Sequence, residues 1–249
     1  MYIRKRVFWQ HLLGLLLVIV LTAEGHSTSL QNNDVLSAHH NISATLIPTT
    51  HELAATDQID LEVSTQVKSL TFTLAQTLRV ESILLGQGSA SRIASFTTIQ
   101  LPDSFAQRIV VMLPEEHGRQ VTLVWVYRGP INDPPKEPRH LRFVTPSETT
   151  GHIGLEGVYL SGESHWYPDV EEAFSTYRVT TQIPEGWTVV GSGQKVAENL
   201  AAGMVSSTWI VQERSEAFTL VANKFVTKSR EWKHRRRGSG LKFRPIFAE

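Results

Sequence analysis

The chain of 249 residues contains no cysteine and carries 24 Lys and Arg against 24 Asp and Glu, so its formal charge is zero. The absence of cysteine excludes disulfides, thiolate metal sites and a cysteine nucleophile, and 41% apolar residues are enough for a packed core. The charge is unevenly distributed along the chain, because residues 26–223 hold 12 Lys and Arg against 21 Asp and Glu. An acidic central segment argues against a nucleic-acid partner, whose binding depends on cations that neutralise phosphates.

The N-terminal segment has the order of a secretory signal peptide. Residues 4–6 are basic, residues 12–21 form an apolar run, and Gly25 supplies a small residue before a cleavage site, so residues 1–25 are predicted to be the signal. This predicts export to the periplasm or the extracellular space, and a fold without cysteine favours a bacterial exported protein. The alternative is a membrane anchor formed by residues 7–23, near the lower length limit for a spanning helix.

The body of the chain has the pattern of strands. Residues 26–37 are polar and irregular and predict a flexible lead-in. Over residues 38–227, apolar and polar residues alternate in short segments, many of them separated by Gly, Pro, Asn or Asp. This pattern indicates strands in sheets with one solvent-exposed face. The clearest predicted strands are residues 59–64, 70–75, 78–84, 109–113, 121–127, 177–183, 205–211 and 218–221. We therefore expect an all-β fold, an antiparallel sandwich or saddle-like β-domain.

Other local signals are few. Residues 169–175 and 199–204 each predict a short helical turn, and residues 129–140 contain four prolines, which predicts a loop between two strand-rich halves. Residues 228–249 are rich in Lys and Arg, and a short basic run of this kind usually forms a solvated tail. We expect a basic irregular tail there.

Motifs of known chemistry are incomplete in this sequence. His51-Glu52 begins a zinc-binding His-Glu-x-x-His motif, but Ala55 stands where the second histidine is needed. The Gly-x-Ser-x-Gly elbow of serine hydrolases and the phosphate-binding P-loop do not occur. We therefore assign no catalytic residue and no metal ligand.

One region is dense in polar and aromatic side chains and includes Glu163, His165, Trp166 and Tyr167. We call it the Glu163–Tyr167 loop. Carboxylate and imidazole groups at this spacing are able to bind a divalent metal, but loops with Glu and His are common. In the simplest interpretation Trp166 and Tyr167 pack under a neighbouring sheet. In the second, the four residues line a substrate site.

Several phrases around this loop resemble a known family. They are Gly157-Val-Tyr-Leu-Ser-Gly162, Trp166-Tyr-Pro168, Thr176-Tyr-Arg-Val-Thr180 and Pro184-Glu-Gly-Trp-Thr-Val-Val-Gly-Ser-Gly193. Together they resemble the N-terminal domain of the gluzincin zinc aminopeptidases, the aminopeptidase N family. In that family a Trp-Tyr-Pro-like turn leads towards a strand, and a Pro-x-Gly-Trp-like turn leads into the next one.

The earlier half of the chain fits the same family more loosely. Leu46-Ile47-Pro48 and the segment Ile59–Val63 resemble its opening strands, which belong to a saddle-shaped sheet. The resemblance thus predicts an aminopeptidase-N-like N-terminal β-domain over residues 38–227. In the family this domain covers the active-site cleft and helps to bind the amino end of the substrate, which makes the Glu163–Tyr167 loop the candidate substrate-binding segment.

The family's catalytic motifs are missing from this chain. Gly-x-Met-Glu-Asn and His-Glu-x-x-His belong to a catalytic domain that follows the β-domain, and Ala202-Gly-Met-Val205 does not supply the first of them. The resemblance therefore implies a non-catalytic domain without a cofactor of its own, with zinc expected only in the missing catalytic domain. A truncated or frameshifted reading frame of a peptidase that cleaves N-terminal residues from peptides would explain this arrangement.

Two further functions remain open from the sequence. One is an exported β-sandwich that binds glycan or protein through a surface of Trp166, Tyr167 and Trp187. The other is an accessory subunit tethered to a membrane by a retained signal segment. The expected partners are a peptide substrate or the missing catalytic domain, with no nucleic acid, and with a membrane only if the signal is retained.

Overall fold

Strands dominate the computed structural model, which describes residues 34–86, 88–102, 104–134, 149–170, 173–227 and 246–248. The predicted signal peptide, most of the predicted lead-in, half of the proline-rich segment and most of the basic tail lie outside these residues. Two short 3₁₀ turns occur in the described part, at Gly88–Ala90 and Gly162–Ser164. Within the described residues no helix has the length and apolar character needed to cross a membrane.

The strands are numbered in chain order. They are β1 (Val35–Ile47), β2 (Glu52–Val63), β3 (Ser69–Ala75), β4 (Arg79–Leu85), β5 (Arg92–Ile93), β6 (Phe96–Gln100), β7 (Ala106–Met112), β8 (Gln120–Pro130), β9 (Asn132–Asp133), β10 (Gly151–Gly154), β11 (Gly157–Leu160), β12 (Asp169–Val170), β13 (Ser175–Pro184), β14 (Thr188–Gly191), β15 (Gln194–Ala201), β16 (Met204–Ser215), β17 (Leu220–Asn223), β18 (Phe225–Thr227) and β19 (Ile246–Ala248).

The strands form one large sheet and three smaller ones. The large sheet has eight strands in the order β15-β16-β13-β1-β2-β8-β4-β5. A five-stranded sheet has the order β14-β17-β11-β10-β9, a four-stranded sheet has the order β12-β3-β7-β6, and β18 pairs with β19. Among the described pairings only β1 and β13 run parallel, so the predicted all-β, mainly antiparallel fold is confirmed.

Alternation decides which face of the large sheet is buried. Along β2 every second side chain points into the core, and these residues are Leu53, Ala55, Asp57, Ile59, Leu61 and Val63. The five-stranded and four-stranded sheets cover this inward face. Phe72 of β3 lies 4.8 Å from Trp125 of β8 between ring centroids, and Phe218, two residues before β17, lies 5.8 Å from Tyr177 of β13. The core therefore sits between the large sheet and the two smaller ones.

Several local predictions need correction. Strand β1 begins at Val35, inside the segment for which a lead-in to residue 37 is predicted, because residues from Val35 pair with the end of β2. The described residues of the segment 169–175 hold β12 and the start of β13, and the segment 199–204 holds the turn between β15 and β16, so no described residue of either segment is helical. In the predicted tail, β19 is a strand. Pairing with distant strands overrides weak local helix signals.

Gly193 in the turn between β14 and β15 is required by the backbone. Its φ is +81°, a left-handed conformation, and a Cβ atom there would collide with the carbonyl oxygen of Ile210. We expect Gly193→Ala to lower the free energy of unfolding by about 2–4 kcal/mol, from strain of about 1–2 kcal/mol plus the clash. Gly186→Ala is the matched control, because φ is +89° with nothing within 4 Å. If urea unfolding showed equal losses of stability for the two variants, the contact with Ile210 would not contribute to the effect of Gly193→Ala.

Candidate functional site

The Glu163–Tyr167 loop connects β11 to β12 across a single 3₁₀ turn. Ser164 closes the turn by donating its hydroxyl to the Ser161 carbonyl oxygen at 2.6 Å, and His165 ends it in a left-handed conformation with φ 46°. The carbonyl oxygen of His165 accepts the backbone N–H of Ala75 at 2.8 Å, which ties the loop to the end of β3. Glu163 stays exposed, whereas His165 is half-buried.

Trp166 and Tyr167 are core residues. Trp166 is 0% exposed and Tyr167 1%, and their rings meet edge to face at 5.0 Å. The Trp166 indole N–H donates to the Phe218 carbonyl oxygen at 3.3 Å, and the Tyr167 hydroxyl accepts the Phe218 backbone N–H at 3.1 Å. The interpretation in which these rings pack under a sheet is correct. The proposed aromatic surface is wrong, because Trp187 is also only 6% exposed.

Tyr167 joins the loop to the large sheet. Its hydroxyl lies 3.3 Å from the Tyr177 hydroxyl, and its ring stands edge-on to His40 at 5.3 Å between centroids. Burial raises the pKa of Tyr167 strongly, and burial raises the pKa of Tyr177 to about 12. Both phenols are therefore protonated at neutral pH. Their role is to fix the backbone that carries Glu163 and His165.

His165 is the other titratable group of this loop, besides Tyr167, whose pKa is shifted. Burial lowers its pKa below the ordinary 6.5, and the charge of Glu163 opposes this shift. Its Nδ1 atom is buried without a hydrogen-bond partner among the described residues. The ring is consequently neutral at pH 7, and the exposed carboxylate of Glu163 supplies the charge of the loop.

The pKa of His165 predicts a pH-dependent contribution to stability. An unfolded His165 binds its proton more tightly than the folded one, so its contribution is present above about pH 6.5 and is lost as the pH falls towards the folded pKa. We expect His165→Asn, which tolerates the left-handed backbone, to flatten the fall in unfolding free energy between pH 7 and pH 5. Glu163→Gln should steepen it, because that change removes the charge that raises the His165 pKa. Unchanged slopes in urea titrations of both variants would contradict this.

A buried hydrogen-bonded pair of a histidine and an aspartate lies directly behind the loop, and sequence reasoning missed it. His40 of β1 and Asp57 of β2 are both 0% exposed, and His40 Nδ1 lies 2.7 Å from Asp57 Oδ2. The imidazole stacks on Tyr177 at 5.2 Å with an interplanar angle of 14°. The available signal was Asp57 itself, which occupies an inward position in the apolar alternation of β2.

A second histidine cluster was also missed. His51, in the turn between β1 and β2, donates Nδ1–H to the Ile153 carbonyl oxygen at 2.6 Å, and its ring lies 5.6 Å from that of His152. His152 Nε2 lies 2.9 Å from Glu156 Oε1. The pKa of Glu156 is lowered, first by its own backbone N–H and then by His152 and His51. These contacts join the β1–β2 turn to the β10–β11 hairpin.

No metal centre emerges from these clusters. Within the ranges that the structure describes, no three His, Asp or Glu side chains are arranged to hold a metal ion. A cavity of about 400 Å³ lies elsewhere, on the outward face of the large sheet. Small and hydroxyl side chains such as Ser43, Ala54 and Thr180 line it, together with Glu81 and Arg128. It does not include the Glu163–Tyr167 loop, so loop and cavity are separate features.

Comparisons with known proteins identify the fold. No protein-family model matches the chain, and no curated protein sequence matches it. Among solved structures, the M1 zinc metallopeptidase of Deinococcus radiodurans is similar with a TM-score of 0.59 and 16% identity, covering 86% of this chain and 47% of that one. Native yeast LTA4 hydrolase is similar with a TM-score of 0.57 and 12% identity, covering 80% of this chain and 30% of that one.

A third structure agrees with these two. Legionella pneumophila aminopeptidase A, in complex with aspartic acid, has a TM-score of 0.55 and 12% identity, covering 85% of this chain and 23% of that one. The chain thus spans less than half the length of each of these structures. At such low identities the similarity concerns the fold. The predicted resemblance to the N-terminal domain of M1 zinc aminopeptidases is confirmed at the level of the fold.

Proposed function

We propose that this chain is an exported, non-catalytic β-domain that works together with a zinc aminopeptidase catalytic domain. The observation that supports this most directly is the fold similarity, which extends over 86% of this chain but only 47% of the Deinococcus metallopeptidase. Shared fold alone does not imply activity. Catalysis by this family needs a metal to activate water, and the sequence contains no His-Glu-x-x-His.

We propose the Glu163–Tyr167 loop as the part that contacts the substrate. The Deinococcus metallopeptidase has been crystallised with a Tyr-Ser-Ala substrate. A peptide with a free amino end presents an ammonium group, and the exposed carboxylate of Glu163 is suited to pair with it. Tyr167 would hold the loop in place through its bond to Phe218. His165, neutral at pH 7, would add a hydrogen-bonding group without adding charge.

The proposal of a peptide-binding loop is tested by calorimetry with the Tyr-Ser-Ala peptide. We expect weak binding by the mature chain, and about a tenfold loss for Glu163→Gln, since a charge-assisted hydrogen bond contributes about 1.5–3 kcal/mol. N-acetylation of the peptide should cause a similar loss. Glu185→Gln, an exposed glutamate in the β13–β14 turn, is the control and should bind as the unmodified chain does. Equal binding by both variants would refute the role of Glu163.

The absence of independent catalysis is tested with aminoacyl-naphthylamide substrates in the presence of added zinc. We expect the purified chain to give no turnover above the buffer rate. Robust turnover that a chelator abolishes would overturn the proposal. Sequencing the DNA downstream of the codon for Glu249 addresses the truncated-gene hypothesis, which fails if no downstream frame encodes His-Glu-x-x-His.

Export is tested by the N-terminus of the mature protein. We propose a periplasmic or extracellular location with cleavage after Gly25, so mass spectrometry of the mature chain should find a start at His26. An N-terminus at Met1 would instead support the membrane-tethered alternative. This measurement tests the location of the chain and does not test its fold or its proposed role.

A further inference from the structure

Four fully buried polar atoms near the centre of the large sheet lack a hydrogen-bond partner among the described residues. They are His40 Nε2, Asp57 Oδ1, Trp125 Nε1 and Tyr127 Oη, and each of the four residues is 0% exposed. Leaving a buried polar atom unsatisfied costs about 1–3 kcal/mol. Four such costs in one place are unusual, because most buried polar side chains in proteins are bonded to protein or to ordered water.

The strand register brings these four side chains to one place. Asp57 of β2 stands directly opposite Trp125 of β8, and Tyr127 is the next inward-facing residue along β8. Directly opposed residues have Cβ atoms about 4.5–5.5 Å apart, and diagonal neighbours are about 7–8 Å apart, within reach of aromatic side chains. His40 touches the same carboxylate from the other side, through Oδ2 at 2.7 Å. The side chains of His40, Trp125 and Tyr127 therefore lie around that of Asp57.

Three of these atoms are complementary as hydrogen-bond donors and acceptors. The indole of Trp125 and the phenol of Tyr127 donate, while Asp57 Oδ1 accepts. His40 is bound to Asp57 Oδ2 through Nδ1, so its Nε2 points away from Asp57 Oδ1. Burial, with the nearby charge of Asp57, raises the pKa of Tyr127 well above its usual value, so its hydroxyl keeps the proton it donates.

We propose that the core holds an internal water site beside Asp57, bounded by Trp125 and Tyr127. Water both donates and accepts hydrogen bonds, so one molecule is able to accept from Trp125 and Tyr127 and to donate to Asp57 Oδ1. A cation would face the N–H of Trp125, and an anion would face the carboxylate of Asp57. Folded proteins contain about one buried water for every 27 residues, typically with about three hydrogen bonds to polar groups that would otherwise be unsatisfied.

The water site lies one layer beneath the Glu163–Tyr167 loop. His40 packs against Tyr167 at 5.3 Å and stacks on Tyr177 at 5.2 Å. A bound water that fixes the Asp57 carboxylate also fixes the His40 ring against these tyrosines. Asp57 and His40 thereby become positioning residues for the loop, acting through Tyr167.

The direct test is a crystal structure of the mature chain at a resolution that shows ordered waters. We expect a density peak at 2.6–3.2 Å from Asp57 Oδ1 that also contacts at least one of Trp125 Nε1 and Tyr127 Oη. A direct hydrogen bond between Trp125 Nε1 and Asp57 Oδ1 with no peak would overturn the proposal. A peak surrounded by six or more oxygen atoms at metal distances would also overturn it.

Magnetic relaxation dispersion of water ¹⁷O supplies a solution test that needs no crystal. Tyr127→Phe removes one donor from the site but keeps the ring, so we expect it to lose the signal of about one long-lived water molecule. Tyr159→Phe is the matched control, because Tyr159 is 40% exposed, and it should match the unmodified chain. Identical signals for Tyr127→Phe and the unmodified chain would count against the site.

Discussion

Replacing Trp166 by alanine should lower the free energy of unfolding by about 3–5 kcal/mol, the range for removing a buried aromatic side chain. Trp166 is 0% exposed, packs edge to face against Tyr167, and donates its indole N–H to Phe218. The loss combines burial, a cavity and an unsatisfied carbonyl oxygen. Typical domains have only about 5–15 kcal/mol of stability, so this variant should be close to unfolding at physiological temperature.

Urea unfolding of the protein measures this loss, and two further variants serve as comparisons. Phe105→Ala removes a ring that is 67% exposed and should change stability by no more than about 0.5 kcal/mol. Trp166→Phe keeps most of the ring and loses the hydrogen bond, so it should fall between the two. If Trp166→Ala were as mild as Phe105→Ala, the side chain would have to lie at the surface, as a glycan-stacking residue would.

The strand pattern was readable from the sequence where one face of a strand is buried. Strand β2 shows why, because its inward residues from Leu53 to Val63 alternate with polar ones, and alternation is a local signal. Strand β15 shows the limit. All eight residues of Gln194–Ala201 are exposed, so neither face carries an apolar pattern, and only pairing with β16 makes the segment a strand.

Pairing between distant segments could not be read from the sequence. The parallel pairing of β1 with β13 joins residues such as Ile42 and Val179, and nothing local encodes it. Parallel pairs need a long crossover, which here runs through most of the domain. The family resemblance supplied the fold that periodicity alone could not.

The candidate site could be predicted only in part, for a similar reason. Composition drew attention to Glu163, His165, Trp166 and Tyr167, but composition does not distinguish an aromatic side chain in the core from one at a binding surface. Burial decides that Trp166 and Tyr167 hold the loop, and it leaves Glu163 as the exposed group. The substrate-binding role of Glu163 and His165 stays a prediction.

Breaking the pair between His40 and Asp57 should be the second large effect. Asp57→Ala removes one partner of a couple whose side chains are both 0% exposed, and we expect it to cost about 3–5 kcal/mol, because a polar partner then stays buried and uncompensated. The pair between Lys195 and Glu198 is the matched control. It has the same N···O distance of 2.7 Å, but its side chains are 34% and 45% exposed. Glu198→Ala should therefore cost no more than about 1 kcal/mol.

A double-mutant cycle separates the interaction from the general cost of altering the core. His40→Phe with Asp57→Leu replaces the couple by apolar groups, and such replacements are often close to neutral. We expect the double variant to be more stable than the sum of the single changes predicts, with a coupling energy of about 1–3 kcal/mol in urea unfolding. The apolar pair should still lose something, because Trp125 Nε1 and Tyr127 Oη would keep no acceptor near residue 57. Additive losses would mean that each side chain contributes through its own packing, and that Asp57 does not act on the loop through His40.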